Sequence, residues 1–381
     1  MEDKIRKKIN ILLIVLFVIS LLSISAICNQ CTGLRLNETS TSSSSQEGST
    51  QEEAISTETK LDSITTEEES LIEIQEETVL AEDKIVLNDK TFNPVITGTL
   101  NTNIFANNIF IKENNAYITS KRSLKIIDIG NKNSPNLLGS CDLPGTVPSG
   151  IFVEGNNAYV ANGWNGLHII DISDSKNPKL ISTCDMPSAS NVYVEGNYAF
   201  VTDLYEGLQI VDVSDIENPF VISSCITQCE DHFIHIEGSY AYLTGQCLAI
   251  IDITDKEKSY VTANLDLKDS TYGICVEGDY AFVGCHGSLK ILDISNKENP
   301  YIIGSCTLSS AAWEVGLIGD YACISCSGEG IKIINIKDKK NPYIAVACDT
   351  PGKAYDIFIQ ENYIYVADLD NGLVIIKLYD H

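Results

Sequence analysis

Two carboxylates, Glu314 and Asp356, each follow an aromatic residue, Trp313 and Tyr355. Two acids brought side by side can act as general acid and base in hydrolysis or elimination, or can hold a hard cation such as calcium. A second constellation is Cys229, His232, Cys247, Cys285, His286 and Cys326. Thiolates beside imidazoles are the ligand set of zinc and other transition metals. The same cysteines can instead form a local disulfide or stay as inert thiols. Cys323-Ile-Ser-Cys326 has ligand-like spacing, but along a strand its two side chains point to opposite faces. Neither constellation is a recognised catalytic motif. The chain carries no Gly-x-Ser-x-Gly, phosphate loop, His-Glu-x-x-His or calcium loop.

What positions these residues is a repeat. A strand that mostly ends in Asp recurs every 40 to 43 residues: Leu124-Lys-Ile-Ile-Asp128, Leu167-His-Ile-Ile-Asp171, Leu208-Gln-Ile-Val-Asp212, Leu248-Ala-Ile-Ile-Asp252, Leu289-Lys-Ile-Leu-Asp293, Ile331-Lys-Ile-Ile-Asn335 and Leu373-Val-Ile-Ile-Lys377. An Ala-Tyr or Ala-Phe pair often precedes it, as at Ala158-Tyr159 and Ala199-Phe200. An Asn-Pro turn often follows, as at Asn177-Pro178 and Asn341-Pro342. Each unit reads as four short strands, A to D. In the second unit these are residues 150–154, 158–161, 167–172 and 179–184. Several are apolar at successive positions, the pattern of sheets buried on both faces.

Seven such units predict an all-β fold, a seven-bladed β-propeller of four-stranded blades over residues 92–381. The last unit stops after its C strand, whereas residues 94–100 align with the D strands. The N-terminal strand is therefore expected to complete the last blade, which removes a loose edge. With its Gly-Leu-x-Ile-Val-Asp core beside a Glu-Gly-x-Tyr-Ala turn, as in Glu195-Gly-Asn-Tyr-Ala199, the chain resembles the LVIVD-repeat family. The resemblance covers about three quarters of the chain. It implies an extracytoplasmic or surface propeller and carries over no functional residues.

On this architecture the B–C and D–A loops line one face around the central channel. The A strands open there with Asn107-Asn108, Ser149-Gly150, Ser190-Asn191, His232-Phe233, Tyr272-Gly273, Trp313-Glu314 and Tyr355-Asp356. The B–C loops add Trp164, Asp203, Tyr205, His286 and Asp368. These positions differ between blades while the strand cores repeat, which is the signature of a ligand surface; ordinary loop variability gives the same pattern. Aromatics mixed with carboxylates would suit a glycan, a peptide or a basic partner. His235 lies within an A strand and reads as core. Cys141, Cys184, Cys225, Cys306 and Cys348 recur at one D-strand position where Leu100 and Leu265 stand in the other blades. They are expected to pack as small hydrophobes.

Charge and the N-terminus bound the setting. The net charge of −26 divides into +3 over residues 1–36, −13 over 37–83 and −16 over the remainder. The acidic parts would repel a nucleic-acid backbone. Lys4, Arg6, Lys7 and Lys8 form a cytoplasmic basic stub (residues 1–9) ahead of an apolar helix within residues 10–28. The apolar run from Ile11 to Ile27 is 17 residues long, between a signal h-region and a full membrane span. It fits an uncleaved transmembrane anchor, a cleaved signal peptide, or, through Cys28, a lipid anchor. Each places the rest outside the cell. Residues 29–91 are Ser-, Thr- and Glu-rich and are expected to form a disordered stalk, with a glycosylation sequon at Asn37. The expectation is a membrane-tethered, or alternatively secreted, cell-surface module that binds or scaffolds a protein, a glycan or an envelope component, with no cofactor. The alternatives are a hydrolase or lyase at Glu314 and Asp356, and a metal or redox protein.

Overall fold

The structure is a computed structural model that describes residues 92–101, 105–145, 147–227, 229–230 and 232–379, with the backbone of residues 86–87 and 90–91. The basic stub, the apolar segment, Asn37 and most of the stalk lie outside the described residues. A short antiparallel pair, Val86–Leu87 with Lys90–Thr91, precedes the domain. Among the described residues no helix is long and apolar enough to cross a membrane.

From residue 95 on, the described residues form seven four-stranded antiparallel sheets. Blades 1 to 6 follow the chain as residues 106–142, 150–184, 189–225, 233–265, 271–307 and 315–348. Blade 7 takes its A, B and C strands from Asp356–Gln360, Tyr363–Ala367 and Leu373–Lys377, and its D strand from Val95–Leu100. The last pairing is antiparallel, with Val95 opposite Lys377 and Leu100 opposite Leu373. The expected closure is therefore present, and the second blade's strands fall within one residue of the positions read from the sequence.

The B and C strands are apolar at consecutive positions because each sheet is covered on both faces. Seven buried clusters sit between neighbouring blades. Ile169, Val192 and Val201 join blades 2 and 3, and Ile111, Ile118, Tyr365 and Ile375 join blade 1 to blade 7. Phe92, just ahead of the closing strand, is 3% exposed and packs on Tyr321 and Tyr379. The repeated D-strand cysteines are used in this way too: Cys141, Cys184, Cys225 and Cys306 are 6% to 8% exposed within the clusters.

The acids that end the C strands have a local role. Asp171, Asp212, Asp252 and Asp293 each accept the backbone N–H two residues ahead at 2.8 to 3.0 Å. This closes the start of the C–D loop as an Asx turn. It is a surface arrangement. The hydroxyls of Ser173, Ser214 and Ser295, and then the backbone N–H groups, hold Asp171, Asp212 and Asp293 below their ordinary range; for Asp252 the Thr254 N–H is the main cause. The repeat motif is thus explained by folding alone.

Candidate functional site

Every A strand begins at the face that carries the B–C and D–A loops. The residue just before or at each start therefore faces the channel mouth. Near these starts blades 5, 6 and 7 carry the aromatic residues Tyr272, Trp313 and Tyr355, and the rings stand in file. Tyr272 and Trp313 have centroids 4.5 Å apart, and Trp313 and Tyr355 are 4.7 Å apart. Each backbone is fixed from the preceding blade. Thr244 Oγ1 donates to the Tyr272 carbonyl, Gly273 N to Trp313 O at 2.8 Å, and Ser325 Oγ to Tyr355 O at 2.9 Å. A side chain at Gly273 would meet Glu314 Cα and Trp313 O, both at 2.6 Å, so glycine is what lets blade 6 close in.

The file forms one side of a cavity of about 280 Å3, continued by His232 and Phe233. The other side is Asn108, Ser149, Ser190 and Asn191, from blades 1 to 3. Among the described residues no Lys or Arg lines it. Deeper in the channel a second set of rings lies along the wall: Phe110 is 5.0 Å from Phe358 and 4.9 Å from Phe152, which is 4.8 Å from Tyr193. His235 and Cys275 hold the equivalent A-strand positions on the next two blades.

Glu314 and Asp356 sit one residue beyond Trp313 and Tyr355. They are close enough that the charge of Asp356 acts on Glu314. Asp356 is 9% exposed; its Oδ2 accepts Ile109 N at 2.8 Å and its Oδ1 accepts Ile357 N at 2.7 Å. Glu314 is partly buried and accepts Val315 N at 3.2 Å. Burial first, and then the charge of Asp356, push Glu314 well above the usual carboxylate range. Burial pushes Asp356 up to about 7, against the lowering effect of the Ile109 and Ile357 N–H groups and the Asn108 amide.

An acid raised in the folded state favours folding at low pH, and that contribution is lost as pH rises through the folded value. The pair thus favours folding at pH 5.5 over pH 8, whereas burial lowers His168, His232 and His235, which favour folding at the higher pH. In buffer free of divalent ions, Glu314→Gln is expected to lower the melting temperature at pH 5.5 relative to that at pH 8, compared with the native protein. A difference between the two pH values that Glu314→Gln leaves unchanged would contradict it.

The remaining sequence candidates separate clearly. Trp164 (74% exposed) and Tyr205 (67% exposed) are open to solvent on their B–C loops and do not line the cavity. His286 is exposed on the blade 5 turn. Asp203 and Asp368 are fully buried and bonded internally: Asp203 accepts Ser188 N at 2.6 Å, and Asp368 accepts Thr350 Oγ1 and Gly352 N at 2.7 Å. Both are pins for the D–A loops, not groups that meet a ligand. Cys229 and Cys247 are joined in a disulfide with Cα atoms 5.3 Å apart, which removes both as thiolate ligands. Cys285 and Cys326 are fully buried, and burial pushes their thiols up to about 12. Cys323 and Cys326 lie in different interblade clusters, on opposite faces of blade 6. Among the described residues no three His, Cys, Asp or Glu side chains converge on one point as a metal-holding group.

The LVIVD repeat pattern matches residues 105–143, 147–186, 188–227, 232–262, 270–308, 310–350 and 351–377, one match per blade. The chain belongs to the LVIVD-repeat family. No curated protein matches this LVIVD-repeat chain. Among solved structures it is similar to the WD40 β-propeller domain of Doa1, at 7% identity over 75% of this chain and 97% of that one, with a TM-score of 0.62. It is similar to the computationally designed Ika8 protein, at 11% identity over 78% and 97%, TM-score 0.54. It is also similar to a functionally unknown protein from Desulfotomaculum acetoxidans, at 13% identity over 71% and 88%, TM-score 0.55. At these identities the likeness is one of fold.

Proposed function

We propose that this LVIVD-repeat protein is a membrane-tethered, extracytoplasmic binding module that takes an uncharged, oxygen-rich segment of a glycan at its channel mouth. The observation that carries this is the Tyr272–Trp313–Tyr355 file facing the Asn108, Ser149, Ser190 and Asn191 arc. Aromatic walls cover apolar C–H surface, while amides and hydroxyls satisfy the hydroxyls of the same ligand. The cavity is about the smallest that small-molecule sites reach, roughly 300 Å3, so it suits one or two sugar units of a longer chain. With no Lys or Arg in the lining and two carboxylates beneath, an anionic ligand is disfavoured. Catalysis by Glu314 and Asp356 has less support, since neither lines the cavity and both oxygens of Asp356 accept backbone N–H groups. The tether is proposed from Lys4, Arg6, Lys7, Lys8 and the apolar run behind them.

The test is a screen of the protein against arrays of envelope glycans and peptides, followed by titration of the hits. Trp313→Ala is expected to weaken a glycan hit at least tenfold, about 1.4 kcal/mol, while Trp164→Ala changes it little. Hits confined to peptides, or glycan binding indifferent to Trp313→Ala, would sink the reading.

A further inference from the structure

We propose that Glu314, Asp356 and Asn108 hold a hard divalent cation of the calcium class beneath the channel mouth. The three side chains come from consecutive blades 6, 7 and 1 and occupy one level of the ring. The equivalent positions on blades 2 and 5 are Gly150 and Gly273, on blade 4 Phe233, and on blade 3 Asn191, whose Oδ1 accepts Val192 N at 2.8 Å. Both carboxylates and the unpartnered amide oxygen therefore fall on consecutive blades.

Two independent observations call for a positive charge there. First, neither carboxylate has a cationic partner. The ion pairs among the described residues, Lys258–Asp255, Lys268–Asp266, Lys290–Asp269 and Lys332–Glu329, all lie elsewhere. Two carboxylates brought together away from water without a counter-charge are costly. Second, Asn108 is 6% exposed, and its amide bonds Asp356, yet its Oδ1 is buried with no hydrogen-bond partner. A buried amide oxygen without a donor points to something missing from its surroundings. One cation answers both.

The chemistry selects the class of ion. All three donors are oxygens, which suit hard cations and not the soft metals that thiolates hold. Carboxylates mixed with an amide oxygen, in irregular geometry and completed by water, are tolerated by calcium far better than by magnesium. The net charge of −16 over residues 84–381 favours cations near the domain as a whole. This inference shares the mouth with the proposed glycan site but stands without it, because its probe is the metal alone.

Trp313 adjoins Glu314, so terbium placed at this site should be sensitised by it. Chelator-stripped full-length protein without a histidine tag is titrated with terbium, and then with calcium. With excitation at a wavelength that tryptophan absorbs and tyrosine does not, a saturable one-to-one emission displaced by calcium is expected, retained in Trp164→Phe and lost in Trp313→Phe. Glu314→Gln, which keeps an oxygen to accept Val315 N, should weaken calcium binding at least tenfold by calorimetry. Independently of any variant, millimolar calcium should raise the melting temperature of the native protein. The proposal is overturned if calcium neither binds nor stabilises the native protein. It is equally overturned if the emission survives Trp313→Phe, or if Glu314→Gln binds calcium as tightly as the native protein while folding normally.

Discussion

Deleting residues 92–101 is expected to unfold the propeller, whereas an equally long deletion within residues 50–59 leaves its melting temperature unchanged. The first segment is the D strand of blade 7 together with Phe92. Its loss strips the pairing from Leu373–Lys377 and opens the cluster in which Phe92 meets Tyr321 and Tyr379. Each backbone hydrogen bond contributes about 1 kcal/mol net, and an apolar side chain of this size about 1.5 to 3 kcal/mol. Over a whole strand that reaches the roughly 5 to 15 kcal/mol that holds an ordinary domain folded. A milder version is Phe92→Ala, for which about 3 to 5 kcal/mol is expected. Calorimetry on the two deletions decides it: equal melting temperatures would show that the ring does not depend on this latch.

Asp203→Ala should be the most damaging single change on the channel-mouth face. Asp203 is fully buried and accepts three backbone donors, Ser188 N at 2.6 Å, Tyr205 N at 2.9 Å and Glu206 N at 3.1 Å. Without it three N–H groups in the B–C and D–A loops lose their acceptor, at about 1 to 3 kcal/mol for each that stays dry. A total of about 3 to 5 kcal/mol is expected by denaturant titration. Tyr205→Ala, two residues away at a 67% exposed position, should cost less than about 0.5 kcal/mol. Similar losses for both variants would mean that Asp203 is not the pin of this loop pair.

These two residues show where sequence reasoning stopped. Asp203 and Tyr205 fall on the same loop, and both vary between blades, so the repeat pattern placed them together on a ligand face. Only coordinates show that one turns inward to its own backbone and the other outward to solvent. The same holds for Asp368. A signal was present in part: the same alignment column holds Ser120, Asn162, Gly245, Cys285 and Cys326, small or polar residues suited to tucking beneath a neighbouring loop.

The strands, their register and the ring closure were legible because each rests on repetition. Seven copies average out the ambiguity of any one, and a missing D strand at one end matched a spare at the other. The cavity was legible as a set of A-strand starts, but not its division into an aromatic side and an amide and hydroxyl side. That division depends on which side chains reach past the rim. The Cys229–Cys247 disulfide links two loops of blade 4 and lies outside the repeat, so nothing in the periodicity announced it. His235 was read as core from its place within strand A, and the rings Phe110, Phe152, Tyr193 and Phe358 on the other blades went unremarked, since their spacing is that of any inward residue.

The closing strand has a mechanical consequence. Val95 begins at the face opposite the mouth, and the strand runs toward the mouth beside Leu373–Lys377. A pull between the chain ahead of Phe92 and a ligand seated at the mouth would run lengthwise along this strand. Its inter-strand hydrogen bonds would then be sheared together, sharing the force, and not unzipped one at a time. The seam that joins the two ends of the ring is thus oriented to resist such a pull.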